Sequence, residues 1–349
     1  MTDSAWLALV CSTASGDCGV YAYDYDPAEG TLSNSTSTPV EHPMYVAGHP
    51  SHERVYVANR SAGGLVTEFD VDRTDGSLDR RRDHSSEGLG PCYVSVDPQG
   101  AYAFVANYGG GTAAMYPLDD AGGLGPACDV VEHRGSGPDP DRQDGPHPHS
   151  AVPGPEGQYL YVPDLGTDRV ETYRIDRESD RLAPADSSGV TLPPRTGPRH
   201  LAFGPAGERA ALVGELDSTV TVLSRDPTTG ALTVEARART LPEDASDVEN
   251  APADVAVHAD GWVYVSNRGH QSIAEFESTA DGLRAVGHTP TGGANPRDIA
   301  LDPTGRHLLV ENRDGFTVAT FAVGADGRLD ERTRRDVPKP TCLTVLPRE

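Results

Sequence analysis

Arg199 and Glu215 sit near the two ends of the stretch Gly197 to Asp217, GPRHLAFGPAGERAALVGELD. Leu201 and Phe203 alternate with neighbours of other kinds, the period-2 signal of a half-buried strand. Pro205-Ala206-Gly207 is turn chemistry, and Ala210 to Val213 starts a return strand. A hairpin places the start of its first strand beside the end of its second. The spacing therefore predicts that the Arg199 guanidinium meets the Glu215 carboxylate. Arginine forks bind carboxylate and phosphate bidentately, so such a pair suits an anionic or carbonyl-bearing ligand.

The same grammar recurs along the chain. A proline opens a short strand at Pro43, Pro91, Pro148, Pro198, Pro252, Pro296 and Pro340, at intervals of 44 to 57 residues. After each of the first six comes a turn (DPQG, GPEG, GPAG, DPTG and relatives), then a second strand with a polar end, a third strand and an outer fourth. Repeats of this length built from short strands indicate propeller blades. The seventh copy has one strand before the sequence stops. Ala5 to Cys11, Val20 to Tyr25 and the segment from Leu32 supply its other three. The expected fold is all-β: a single domain over 1–349, a seven-bladed β-propeller of four antiparallel strands per blade. Its ring closes by pairing of the N- and C-terminal strands, which removes two open edges. Two connections exceed what a blade needs, Val131 to Gly145 and Thr240 to Asn250, and read as rim or lid loops.

First strands line the channel of a propeller. The residue after each repeat proline therefore reaches one mouth: Met44, Cys92, His149, Arg199, Ala253, Arg297 and Thr341. Second strands run back to the same mouth and end at Asn59, Asn107, Asp164, Glu215, Asn267 and Asn312. Arg60, Tyr108, Arg268 and Arg313 follow them. Asparagine at four of six such ends reads as a structural turn-bonding residue, whereas Glu215 breaks the pattern. Arg297 next to Asp298 reads equally as an internal ion pair or as a ligand group.

Fifty-three acidic residues against 29 basic ones give a net charge of −24, and the only lysine is Lys339. Acid dispersed in this way looks like the surface of proteins from halophilic cells. It argues against nucleic acid, whose phosphates require a basic patch. The five cysteines form no CxxC pair and suggest reduced thiols in the cytoplasm. No apolar run is long enough to span a bilayer. There is no phosphate-loop motif and no GxSxG elbow. His147 and His149 lack a third ligand spaced with them, so neither a metal nor another cofactor is expected. A monomer or small homo-oligomer is expected.

GPHPHSA, GPRHLAF, ELDSTVTV and YVSNRGHQSIA, together with the linker DPDRQDGPHPHS, resemble the seven-bladed lactonase family. That family includes propeller-type 6-phosphogluconolactonases and a carboxymuconate lactonizing enzyme. The resemblance spans nearly the whole chain, though Asp254 in APADVAV departs from the family's usual pattern. It implies an active site of His149, Arg199, Glu215 and Arg268, with Arg142, Gln143 and His147 as rim residues near the substrate; Arg297 and Tyr108 join them from the mouth. The implied reaction is hydrolysis of a sugar lactone. Arg199 and Arg268 would stabilise the oxyanion, Glu215 would activate water, and His149 would protonate the leaving oxygen or position the water. A muconate cycloisomerase and a non-catalytic scaffold are the alternatives.

Overall fold

The computed structural model describes residues 6–51, 53–185, 187, 189–280 and 282–348. Seven sheets form around one channel. In blade four the strands run, from the channel outward, Pro198–Phe203, Arg209–Gly214, Thr219–Arg225 and Leu232–Arg239. Blades one, two, five and six repeat this order. Blade seven is composite: Pro340–Pro347 pairs antiparallel with Trp6–Ser12, from Trp6 opposite Pro347 to Cys11 opposite Cys342. Gly19–Asp26 and Thr31–Pro39 complete it. Ala5, the expected start of that second strand, lies outside the described residues.

The interior is made between blades. Second strands are buried on both faces, so they read as near-continuous apolar runs. Leu212 of blade four packs with Leu160's neighbour Tyr161 of blade three, while Val213 packs with Val255 and Val265 of blade five. Outer strands are exposed and charged, as in Leu78–Ser85. This gradient from apolar inner strands to polar outer ones is what a ring of radially stacked sheets demands.

The first strands are not regular. In blades one, two, four, five and six the register against the second strand slips just after the repeat proline, for example between Pro198 and Leu201. A bulge opposes two residues to one and re-aims side chains. Rings of non-adjacent blades show the result: Tyr45 of blade one lies edge-on to His200 of blade four, with centroids 6.0 Å apart. They can meet only across the channel. The channel thus carries a mouth layer and, beneath it, a second layer of Tyr45, Tyr93, His200, Asp254 and Asp298.

Three local features differ from the sequence expectation. Val131 and Glu132 belong to the outer strand Asp129–Glu132 of blade two, paired with Ala113 and Thr112, so the long connection starts at His133. The connection after Arg239 contains a 3-10 turn at Glu243–Ala245. The first strand of blade three shrinks to Val152–Pro153 plus an isolated bridge between Pro148 and Asp164. Two prolines in that segment remove ladder donors.

Three of the asparagines that end second strands bind the next strand and the preceding loop, while Asn59 binds Thr67 Oγ1 and the Val57 carbonyl of its own strand. Asn107 Nδ2 donates to the Ser86 carbonyl at 2.6 Å and to Thr112 Oγ1 at 3.0 Å; Asn267 and Asn312 make the corresponding pairs of bonds. Replacing fully buried Asn107 with Ala should leave both acceptors unsatisfied and destabilise the fold by about 1–3 kcal/mol. Urea unfolding measures this, and a change below ~0.5 kcal/mol would contradict the structural role.

Candidate active site

Asp164 and Glu215 replace the strand-ending asparagine in blades three and four, and each organises part of the mouth. Asp164 is fully buried. Its Oδ1 accepts the backbone N–H groups of His147 at 2.8 Å and Gly166 at 2.9 Å, and its Oδ2 lies 2.7 Å from His133 Nδ1. This fixes the HPHS turn. The His149 N–H then donates to the Pro163 carbonyl at 2.9 Å, which holds His149 at the mouth without a continuous strand.

Glu215 faces inward and is 3 % exposed. Arg199 Nε lies 3.1 Å from its Oε2, Arg268 Nη2 2.8 Å from the same oxygen, and Arg142 Nη2 2.6 Å from Oε1. The hairpin expectation for Arg199 and Glu215 is met in this geometry. Both inner arginines are tethered as well: Arg199 Nη1 donates to the Ala253 carbonyl, and Arg268 Nε to the Ala251 carbonyl at 2.7 Å. Burial alone would raise the Glu215 carboxyl. The charges of Arg268, Arg199 and Arg142 outweigh it and hold the pKa at about 2.

His149 is 6 % exposed. Burial, then the charges of Arg199 and Arg297 and the neighbouring His200, push its pKa well below the usual histidine range, so it is neutral at pH 7. Its Nδ1 is 3.9 Å from Cys92 Sγ, and its ring stands edge-on to Tyr108 at 5.4 Å. Tyr108 stacks on His147 at 4.4 Å, and the His147 Nδ1 bonds the Tyr108 carbonyl at 2.8 Å. These rings wall one side of the mouth.

Arg297 is half-buried and has no hydrogen-bond or ion-pair partner among the described residues. Of the two readings of Arg297, the ion pair with Asp298 does not form; Asp298 Oδ2 instead accepts the Leu343 N–H at 2.9 Å. Burial, then the charges of Arg199, Arg268, Arg313 and Arg60, bring Arg297 down to about 9, still a cation at neutral pH. Gln143 also departs from expectation. It is fully buried, and its side chain binds the Leu165 carbonyl at 2.9 Å and the Asp139 N–H at 3.2 Å. It shapes the loop that carries Arg142 and does not face the channel.

Sequence reasoning missed the second layer. His200 Nδ1 lies 2.7 Å from Asp254 Oδ1, and Asp254 Oδ2 accepts the Ile299 N–H at 3.0 Å. Burial and then Asp254 push Asp298 well above the carboxylate range, and burial and then Asp298 do the same to Glu311. The signal was available as the column two residues after each repeat proline, but strict alternation would have pointed it away from the channel.

A cavity of about 660 Å³ opens at the opposite strand ends, between blades four and five, beside Arg209, Arg225, Glu235 and His258. Its arginines are already paired, Arg209 with Glu235 at 2.8 Å and Arg225 with Glu156 at 2.6 Å. The mouth is the better candidate because its cations outnumber its acids. Among the described residues no helix is long and apolar enough to cross a membrane.

Comparison with known proteins agrees with the seven-bladed fold. The model of the seven-bladed β-propeller lactonase family matches residues 7–345. A 6-phosphogluconolactonase of Bacillus subtilis is 32 % identical over 341 residues, 96 % of each chain. A 6-phosphogluconolactonase of Formosa agariphila is 25 % identical over 315 residues, 87 % of this chain and 88 % of that one. The structure of a periplasmic gluconolactonase of Pseudomonas aeruginosa superposes with a TM-score of 0.92 at 30 % identity, covering 99 % of this chain and all of the other. Sheet order and these matches agree, and the chain belongs to the seven-bladed β-propeller lactonase family.

Proposed function

We propose that the chain, acting as one domain, hydrolyses a sugar lactone that carries an anionic group, a 6-phosphorylated aldonolactone being the best fit. The observation that carries the reading is Arg297, a guanidinium without a protein partner beside four other arginines at the mouth. A phosphate would satisfy its fork bidentately. The lactonase and gluconolactonase relatives support the reaction class. The free cysteines support a reducing compartment such as the cytoplasm, and the dispersed acid supports a halophilic source.

Arg199 and Arg268 flank the position of the lactone carbonyl and stabilise the oxyanion as it forms. Water attacks the carbonyl carbon. A new C–O bond forms, and the bond to the ring oxygen breaks as the tetrahedral intermediate collapses. The sequence reading made Glu215 the base that activates this water. A carboxylate at about 2 under three guanidinium groups is a poor proton acceptor. His149, neutral and buried beside the same arginines, suits that role better. It takes a proton from water and returns it to the departing ring oxygen. Glu215 then sets the arginines: without it three cations would repel one another.

Gluconolactone, its 6-phosphate and carboxymuconate supplied to the purified protein test the reading. Turnover of the lactones is expected; consumption of carboxymuconate alone would overturn it. His149→Ala and Glu215→Gln should each lower turnover at least about tenfold with the fold intact by circular dichroism. Arg297→Gln should raise KM for the 6-phosphate by roughly tenfold to a hundredfold and leave the unphosphorylated lactone little changed. Equal effects on both substrates would remove Arg297 from the phosphate site. Stability also carries a signature. The Glu215 carboxyl titrates at about 2 in the fold against ~4.3 when unfolded, so its stabilisation is full above the unfolded value and is lost as pH falls toward 2. Thermal unfolding between pH 5 and pH 2 should show Glu215→Gln losing less stability than the unmodified protein.

A further inference from the structure

Beneath the arginines the channel floor gathers acids from several blades. Ligand-capable atoms of His200, Asp254 and Asp298 all lie within 4.8 Å of one another, and the three residues are 4, 6 and 3 % exposed. Glu311, outside that group, lies next to it on the second strand of blade six. It stands directly opposite Asp298 in the antiparallel register, so both side chains leave the same face of the sheet. Five other blades hold Ala58, Ala106, Pro163, Gly214 and Ser266 at the position of Glu311. A small residue suffices there for packing, and a carboxylate needs another reason.

Glu311 is fully buried, yet both its carboxylate oxygens lack a hydrogen-bond partner among the described residues, as does buried His200 Nε2. A carboxyl group buried without a partner is costly whether it sheds its charge or keeps it, unless a cation or a donor compensates it. No guanidinium makes an ion pair with Asp298 or Glu311 among the described residues. Meanwhile backbone N–H groups of Ile299 and Leu343 fix Asp254 and Asp298 at 3.0 and 2.9 Å, which holds the oxygens in place before any ligand arrives. The 2.7 Å hydrogen bond between His200 Nδ1 and Asp254 Oδ1 orients the imidazole and leaves Nε2 as its open ligand atom.

We propose that His200, Asp254 and Asp298, joined by Glu311 on binding, hold one divalent transition cation of the manganese or zinc class, which pins blades four, five and six across the channel floor. Three carboxylates and one imidazole suit such an ion better than calcium or magnesium, which favour all-oxygen sets. The site is separate from the lactone at the mouth and does not depend on which reaction occurs there.

The full chain, purified without a metal-affinity tag, is stripped with EDTA, dialysed, offered Mn²⁺ or Zn²⁺ and gel-filtered. Metal content is then read by plasma mass spectrometry and the melting temperature by intrinsic fluorescence. The unmodified protein should retain about one ion per chain and melt roughly 5 °C higher than the stripped form. Glu311→Gln keeps size and shape while removing a charge, and Asp254→Asn removes a second donor. Each should retain under about a tenth of an ion and lose the thermal shift. Retention below ~0.1 ion by the unmodified protein would overturn the proposal. Equal retention by both variants would do so too, because exposed carboxylates would then be the binders.

Discussion

One carboxylate holds three guanidinium groups together. Arg142 comes from a loop, Arg199 from an inner strand and Arg268 from the end of a second strand, and all reach Glu215 within 3.1 Å. Like charges at this spacing repel strongly where water is scarce. Their convergence is stable because the acid lies between them and because the Ala251 and Ala253 carbonyls accept from two of the three. The rest of the mouth follows from this arrangement. Burial and then the positive field of the mouth keep His149 neutral; the same field keeps Glu215 ionised, and the arrangement leaves Arg297 without a counter-charge from the described residues.

The ring of blades is what makes such a convergence possible. Each inner strand delivers one or two side chains to the axis, and apolar contacts between adjacent sheets hold the strands rigid. Site residues therefore sit on well-packed elements, with second-strand ends and one long loop adding the remainder. A site so built is fixed before substrate arrives, which favours electrostatic stabilisation of a developing charge over adaptation to it.

Much of this was legible from residue order, for definite reasons. The repeat proline, the glycine-containing turn and the polar strand end mark each blade, so counting them yields seven and places Arg199 beside Glu215. What could not be read is where alternation fails. The register slips that turn both Arg199 and His200 toward the axis leave no mark in composition, and the second channel layer stayed hidden with them. Blade three hid its own irregularity: prolines broke the strand, while Asp164 bound the turn that carries His149. The family resemblance placed Gln143 near the substrate, yet a short polar loop needs an internal amide to satisfy its own backbone. Charge, in contrast, was read correctly as an excess of arginine at the mouth, because charged residues rarely line a narrow space without a purpose.

The ring closes late in the life of the chain. Trp6 pairs with Pro347, and Thr341 and Cys342 hydrogen-bond to groups in blades seven and one. During synthesis, six sheets can stack while the strand Trp6–Ser12 waits with one side unpaired. Contacts this distant in sequence form slowly, and an unpaired apolar edge is open to pairing with other chains meanwhile. The strong negative charge, carried outside the outer strands and chiefly in the turns and connections, keeps neighbouring nascent chains apart through that interval. The acidic surface thus protects the unfinished ring as well as hydrating the finished one.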